Sequence, residues 1–151
     1  MCWTTFKQEN SKPKVADRPI NVFKVCKRKF GTTISYYHDK EYVEGVTYHH
    51  YGDIKNFKIG FTNSTHYSIS NGFHSYDADK VKVVERNRFL YTGNVKIFDV
   101  LYGNDIRLDF YAERSILVRA ECTIPEGATY YENEKGEFVS NAITINKIKT
   151  L

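Results

Sequence analysis

The sharpest alternation of apolar and polar positions runs from Ser115 to Ile124. Ile116, Val118, Ala120, Cys122 and Ile124 fall on one face, and Leu117, Arg119, Glu121 and Thr123 on the other. Successive strand side chains point to opposite faces, so this period of two predicts a strand with one buried face and one mostly polar face. The run Ile20-Asn21-Val22-Phe23-Lys24-Val25-Cys26 is apolar on both alternating faces, as in a central strand covered on both sides. A turn at Phe30-Gly31-Thr32 and a second strand over Thr33–Tyr37 would close a hairpin with it. Val46–Tyr51, bracketed by Gly45 and Gly52, and Ala142–Ile148 read as further strands, with a hairpin turn at Glu134–Glu137.

Other segments leave alternatives open. Residues 54–70 mix strand and loop, and Asn71-Gly72 is a turn signal before Phe73-His74-Ser75-Tyr76. Asp77 stands where a helix N-cap would, with a short helix through Glu85, although Val81, Val83 and Val84 suit a strand equally well. Residues 88–111, broken by Gly93 and Gly103, predict strands or one helix. Residues 1–19 carry Pro13 and Pro19 and no period, so they read as an N-terminal arm that Trp3 and Phe6 can pin to the body. Residues 20–151 form one domain. The expected class is α+β and strand-rich: a compact antiparallel or mixed sheet with one or two short helices.

Composition narrows the picture. The 151 residues are 41% hydrophobic and 26% charged, which excludes a disordered chain, and no stretch approaches the roughly 18 apolar residues of a membrane span. The first residues lack the apolar core of a signal peptide, so a cytoplasmic protein is expected. The net charge of +4 is uneven: residues 1–75 hold 11 Lys/Arg against 6 Asp/Glu, and residues 76–151 hold 11 against 12. Lys24, Lys27, Arg28 and Lys29 form the densest basic run, either a strand end guarded by cations or an anion site. The excess is too small for a general nucleic-acid binder. Cys2, Cys26 and Cys122 lie far apart, without zinc-ligand spacing, so no metal site is expected, and the last two read as small buried hydrophobes.

Nucleotide-loop, zinc-protease and nucleophile-elbow signatures are absent, so candidate chemistry rests on scattered residues. His74 follows a glycine turn between Phe73 and Tyr76, where its ring would meet a ligand or a main-chain carbonyl. His49 and His50 are adjacent and face opposite sides of a strand, which suits structural or exposed roles better than one metal. Arg119 and Glu121 share the polar face of the best strand. Lining a cleft, they would hold a phosphate and a ribose hydroxyl; facing water, they are a surface pair. Among 12 tyrosines, the doublets Tyr36-Tyr37 and Tyr130-Tyr131 sit at strand ends, where exposed rings near cations offer a stacking platform for a base. The candidate ligand-binding set is therefore Lys24, Arg28, Tyr36, Tyr37, His74, Tyr76, Arg119 and Glu121, with no catalytic residue assigned.

Met1-Cys2-Trp3, the run from Val15 to Val25, Gly72–Tyr76, and Cys122–Tyr131 together resemble a family of small uncharacterised proteins of gut Bacteroidetes, their phages and prophages. The resemblance implies a mobile-element setting and supplies no catalytic residues or cofactor. The leading expectation is a module that sequesters an anionic nucleotide or cyclic-oligonucleotide signal, as a phage counter-defence sponge would, with no cofactor, no membrane and a homodimer as assembly. Two alternatives stand beside it. One is an NAD-using enzyme similar to ADP-ribosyltransferases, with Glu121 as its carboxylate and His74 beside it. The other is a protein–protein inhibitor using an aromatic patch.

Overall fold

The structure, a computed structural model, describes residues 3–36, 40–61, 64–90, 93–102, 106–111 and 116–151. Its elements in chain order are β1 (Trp3–Thr5), a 3-10 turn at Gln8–Ser11, β2 (Lys14–Val15), β3 (Ile20–Lys29), β4 (Thr32–Ser35) and β5 (Thr47–His49). There follow β6 (Asn56–Phe61), β7 (Ser64–Ile69), β8 (Phe73–Asp77), β9 (Val81–Leu90), β10 (Gly93–Tyr102) and β11 (Ile106–Tyr111). The last four are β12 (Ile116–Ile124), β13 (Thr129–Glu132), β14 (Glu137–Ser140) and β15 (Ala142–Thr150).

The architecture is strand-rich and antiparallel, and among the described residues the expected short helices are absent. Asp77 does make the hydrogen bonds of a cap, since its Oδ1 accepts from the N–H groups of Asp79 at 2.8 Å and Lys80 at 3.1 Å. The chain then runs into β9 rather than a helix. Val81, Val83 and Val84 favour extended backbone, and β9 pairs with β10 from Val81↔Tyr102 to Leu90↔Gly93.

The main sheet has nine strands in the order β2-β13-β14-β8-β3-β12-β15-β5, with β4 added to β3. β3 and β12 lie at its centre, and their alternating side chains feed two cores. Val22 and Cys26 of β3 join Val118, Ala120, Cys122 and Ile124 of β12 in one cluster, together with Tyr42, Phe73, Ile143 and Ile145. Phe23 and Val25 join Leu117 in the second, where Phe98, Val100, Tyr102 and Phe110 arrive from the separate sheet β9-β10-β11. β3 is thus covered on both faces. Three strands separate β8 from β5 in the main sheet, yet Asn71, just before β8, meets His50, just after β5, at 3.4 Å. The sheet therefore curls on itself.

A third sheet, β1-β7-β6, carries the N-terminal segment. Trp3 is only 1% exposed, donates from its indole Nε1 to the Glu137 carbonyl at 2.9 Å and meets the Tyr131 ring edge-on. Phe6 is exposed and lies against His66.

Candidate functional site

The site originates in an interruption of one edge of β3. β12 occupies the other edge continuously, from Ile20↔Ile124 to Arg28↔Ile116. On the open edge β8 pairs only as Val22↔Asp77 and Phe23↔Tyr76, while β4 pairs from Cys26↔Ser35 to Lys29↔Thr32. Lys24 and Val25 fall between the two neighbours. The Lys24 side chain spans part of the opening, its ammonium donating to the main-chain carbonyl of His74. That bond satisfies a strand carbonyl where the ladder has ended.

A cavity of about 490 Å³ opens at this interruption, within the range of small-molecule sites. Val25, Tyr36, Tyr76 and Phe110 line it from the side of the second core, and Lys24, Tyr42 and Phe73 from the side of the first. The rim is made by Ser35, Lys40, His49, His50 and Tyr51 and by the Ser70–His74 segment. The walls are organised by aromatic contacts: Tyr36 meets Phe110 edge-on at 4.7 Å and Tyr42 meets Tyr48 at 5.2 Å. Lys40 Nζ sits 5.4 Å from the Tyr48 ring centre and 5.6 Å from that of Phe73.

The electrostatics are one-sided. Lys24, Lys40, His49, His50 and His74 line the cavity, and no Asp or Glu does so among the described residues. Lys24 is 9% exposed, with the Tyr42 ring centre 5.5 Å from its Nζ. Burial pulls its amine below the ordinary lysine value, only partly opposed by the thiols of Cys26 and Cys122. Burial also pushes those thiols up, to about 11 for Cys26 and about 12 for Cys122, and raises the Tyr42 phenol. Both thiols are therefore neutral at physiological pH, and no described carboxylate lines the cavity beside the lysine.

His74 combines the two roles expected of it: it lines the cavity, and its Nε2 donates to the Asn71 carbonyl at 3.2 Å. Asn71 fastens the rim, accepting from Lys55 N–H at 3.0 Å and donating to the Asp53 carbonyl at 2.9 Å. Gly72 has φ +78°, and a Cβ there would lie 2.9 Å from Val139 Cγ1 and 3.1 Å from the Ser140 carbonyl oxygen, so the turn requires glycine.

Of the residues singled out from sequence, Lys24, Tyr36, His74 and Tyr76 come together around the cavity, and Tyr37 lies outside the described residues. Arg28, Arg119 and Glu121 do not line it. Arg119 and Glu121 do share a strand face, with Nε and Oε1 2.6 Å apart. The Arg119 guanidinium stacks 3.9 Å from the Phe23 ring centre, on the face opposite Lys24. Lys40, Tyr42, Phe73 and Phe110 were not read from sequence as site residues, and His49 and His50 were read there as structural or exposed. The preceding cation Lys40 and the apolar Tyr42 carried no period that marked them. Among the described residues no group of three or more metal-ligating side chains occurs.

Comparison of the chain with protein-family models, with curated proteins and with solved structures finds no match. Among the described residues no helix is long and apolar enough to cross a membrane.

Proposed function

We propose that this protein is a binding module that takes a small anionic ligand carrying a planar ring, of the nucleotide type, into the cavity beside β3. One observation carries the reading: the cavity combines aromatic walls with two lysines and three histidines and, among the described residues, no carboxylate. Such walls stack a base, and the cations meet phosphate or carboxylate oxygens, whose hydrogen bonds to charged donors are the stronger kind. A purely apolar ligand, or an anion without a ring, would use only one part of this lining. Lys40, exposed at the rim, is suited to the first contact with an anion, and the Tyr36–Phe110 pair to holding the ring.

With no catalytic constellation assigned, binding itself is the activity: the module withdraws its ligand from solution. The resemblance to proteins of phages and prophages supports a signal nucleotide as that ligand and a counter-defence setting.

The test is a melting and calorimetry panel of mononucleotides, NAD, ADP-ribose, cyclic dinucleotides and cyclic trinucleotides. A ligand at 100 times its dissociation constant adds about 2.7 kcal/mol, which raises the melting midpoint of a domain this size by about 5–10 °C. Lys40→Ala should weaken binding about tenfold or more, as loss of a charge-assisted contact does. No stabilisation by any member of the panel at millimolar concentration, or a bound nucleotide indifferent to both Lys40→Ala and Tyr36→Ala, overturns the proposal.

A further inference from the structure

Lys24 is placed unusually for a lysine that serves only as a phosphate anchor. It projects from a central strand into the first core, between Cys26 and Cys122, and reaches the cavity floor nearly buried. Its ammonium meets a main-chain carbonyl and an aromatic ring, with no ion pair to a described carboxylate. The titratable groups around it are Cys26 on its own strand, Cys122 on β12, Tyr42 from the segment packed over the core, and His74 on β8. A buried amine in neutral surroundings loses its proton more readily and becomes a nucleophile, which is how lysines are activated for Schiff-base chemistry.

We propose that Lys24 is a covalent capture site, whose amine forms an imine with the carbonyl carbon of a small anionic aldehyde bound in the cavity. The step balances without an oxidant or reductant. The ammonium gives one proton to water and the amine lone pair forms the new C–N bond; the carbonyl oxygen, taking one proton from the nitrogen and the one returned by that water, then leaves as water. The product is a protonated imine carrying the same single charge as the starting ammonium. Hydrolysis reverses it, so the site captures and releases. The ligand class narrows accordingly to phosphorylated or carboxylated aldehydes, including nucleotides with an open-chain reducing ribose. The inference rests on the anion-binding reading for the ligand's charge but not for the imine chemistry.

Reductive trapping separates the two. The intact protein is treated with pyridoxal 5′-phosphate or, in parallel, with pyridoxal, its counterpart lacking the phosphate, in the presence of cyanoborohydride, and the adducts are mapped by peptide mass spectrometry. The expected result is Lys24 labelled at least tenfold faster than the exposed lysines Lys29 and Lys149, and faster by the phosphate-bearing probe than by pyridoxal. Lys24→Arg, which retains a cation able to meet the His74 carbonyl, should lose the fast adduct while keeping the fold by circular dichroism. Equal labelling of Lys24 by both probes would support the imine and overturn the anion preference. Labelling of Lys24 no faster than of the exposed lysines overturns the capture proposal, whatever nucleotide binding shows.

Discussion

Gly72→Ala tests the geometry of the rim most directly. Gly72 has φ +78°, so any L-residue there sits in the left-handed region at a cost of about 1–2 kcal/mol. The new Cβ would also stand 2.9 Å from Val139 Cγ1 and 3.1 Å from the Ser140 carbonyl oxygen. Neither neighbour has room to retreat: Val139 and Ser140 are both fully buried, and Ser140 is registered against Phe73 in the ladder. Overpacking of this kind adds about 1–3 kcal/mol, while the stiffer unfolded chain returns about 0.4–1 kcal/mol. The net expectation is a loss of about 1–5 kcal/mol. Gly45→Ala is the matched control, because Gly45 has φ +82° with nothing within 4 Å of the added Cβ, so it bears the strain alone. Urea unfolding of both variants, compared at constant slope, isolates the steric part. A Gly72→Ala midpoint within experimental error of the Gly45→Ala midpoint would refute the packing of the β8 turn against β14, and with it this wall of the cavity.

Four further outcomes follow from other parts of the molecule. Phe30 has φ 53° and is 96% exposed in the two-residue turn between Lys29 and Thr32, so Phe30→Asn should raise stability by about 1 kcal/mol in urea; a loss would mean the ring has a partner. Trp3→Ala should cost about 3–5 kcal/mol by the same assay, because it empties the contact with Tyr131 and orphans the Glu137 carbonyl; a change below 1 kcal/mol would show the N-terminal segment to be detachable. Arg119→Ala should cost about 1–2 kcal/mol through the lost stacking on Phe23, while Glu121→Gln leaves ligand affinity unchanged; a tenfold affinity loss in Glu121→Gln would place the site elsewhere. The Cys26 and Cys122 thiols are raised by burial to about 11 and about 12, so the unfolded chain releases their protons first: their stabilisation is complete below about pH 9 and is lost as pH rises through those values. Lys24, lowered by burial, acts oppositely, its contribution being lost as pH falls. Replacing both cysteines by alanine should flatten the fall in stability between pH 8 and pH 10, measured by urea melts, and an unchanged slope would contradict the buried thiols.

Local pattern made the strands legible where each strand's own neighbours decide its faces. The alternation in Ser115–Ile124 became β12, and the doubly apolar Ile20–Cys26 became the central β3, with Phe23 and Val25 in one core and Val22 and Cys26 in the other. The error at Asp77 came from reading a cap as a helix start: its hydrogen bonds were right, and the pairing of β9 with β10 over ten positions overrode them. The site was less legible for a related reason. Arg119 and Glu121 were correctly placed on one face, but that face is partly exposed and lies opposite Lys24, and local sequence does not say which face of a strand borders a cavity. Lys24 read as one of four clustered cations, whereas its strand position buries it and leaves Lys29 exposed.

What decides the cavity is the length of one hairpin. The tight turn at Phe30-Gly31 sends β4 back along β3, and its return ends with Ser35 opposite Cys26. β8 holds the same edge up to Phe23, and continuing its register would bring Ser75 opposite Lys24 and His74 opposite Val25. The two strands compete for one edge, and neither takes the two residues between them. A longer β4 would fill that interval with ladder hydrogen bonds, and a shorter one would let β8 advance; either change closes the opening. The unfilled interval costs backbone pairing, and the Lys24–His74 bond offsets part of that cost while placing an amine at the cavity floor. The same two-residue interruption thus explains why the cavity exists, why its walls come from segments as distant as Tyr36, His49, Phe73 and Phe110, and why a lysine on a central strand is the residue at its base.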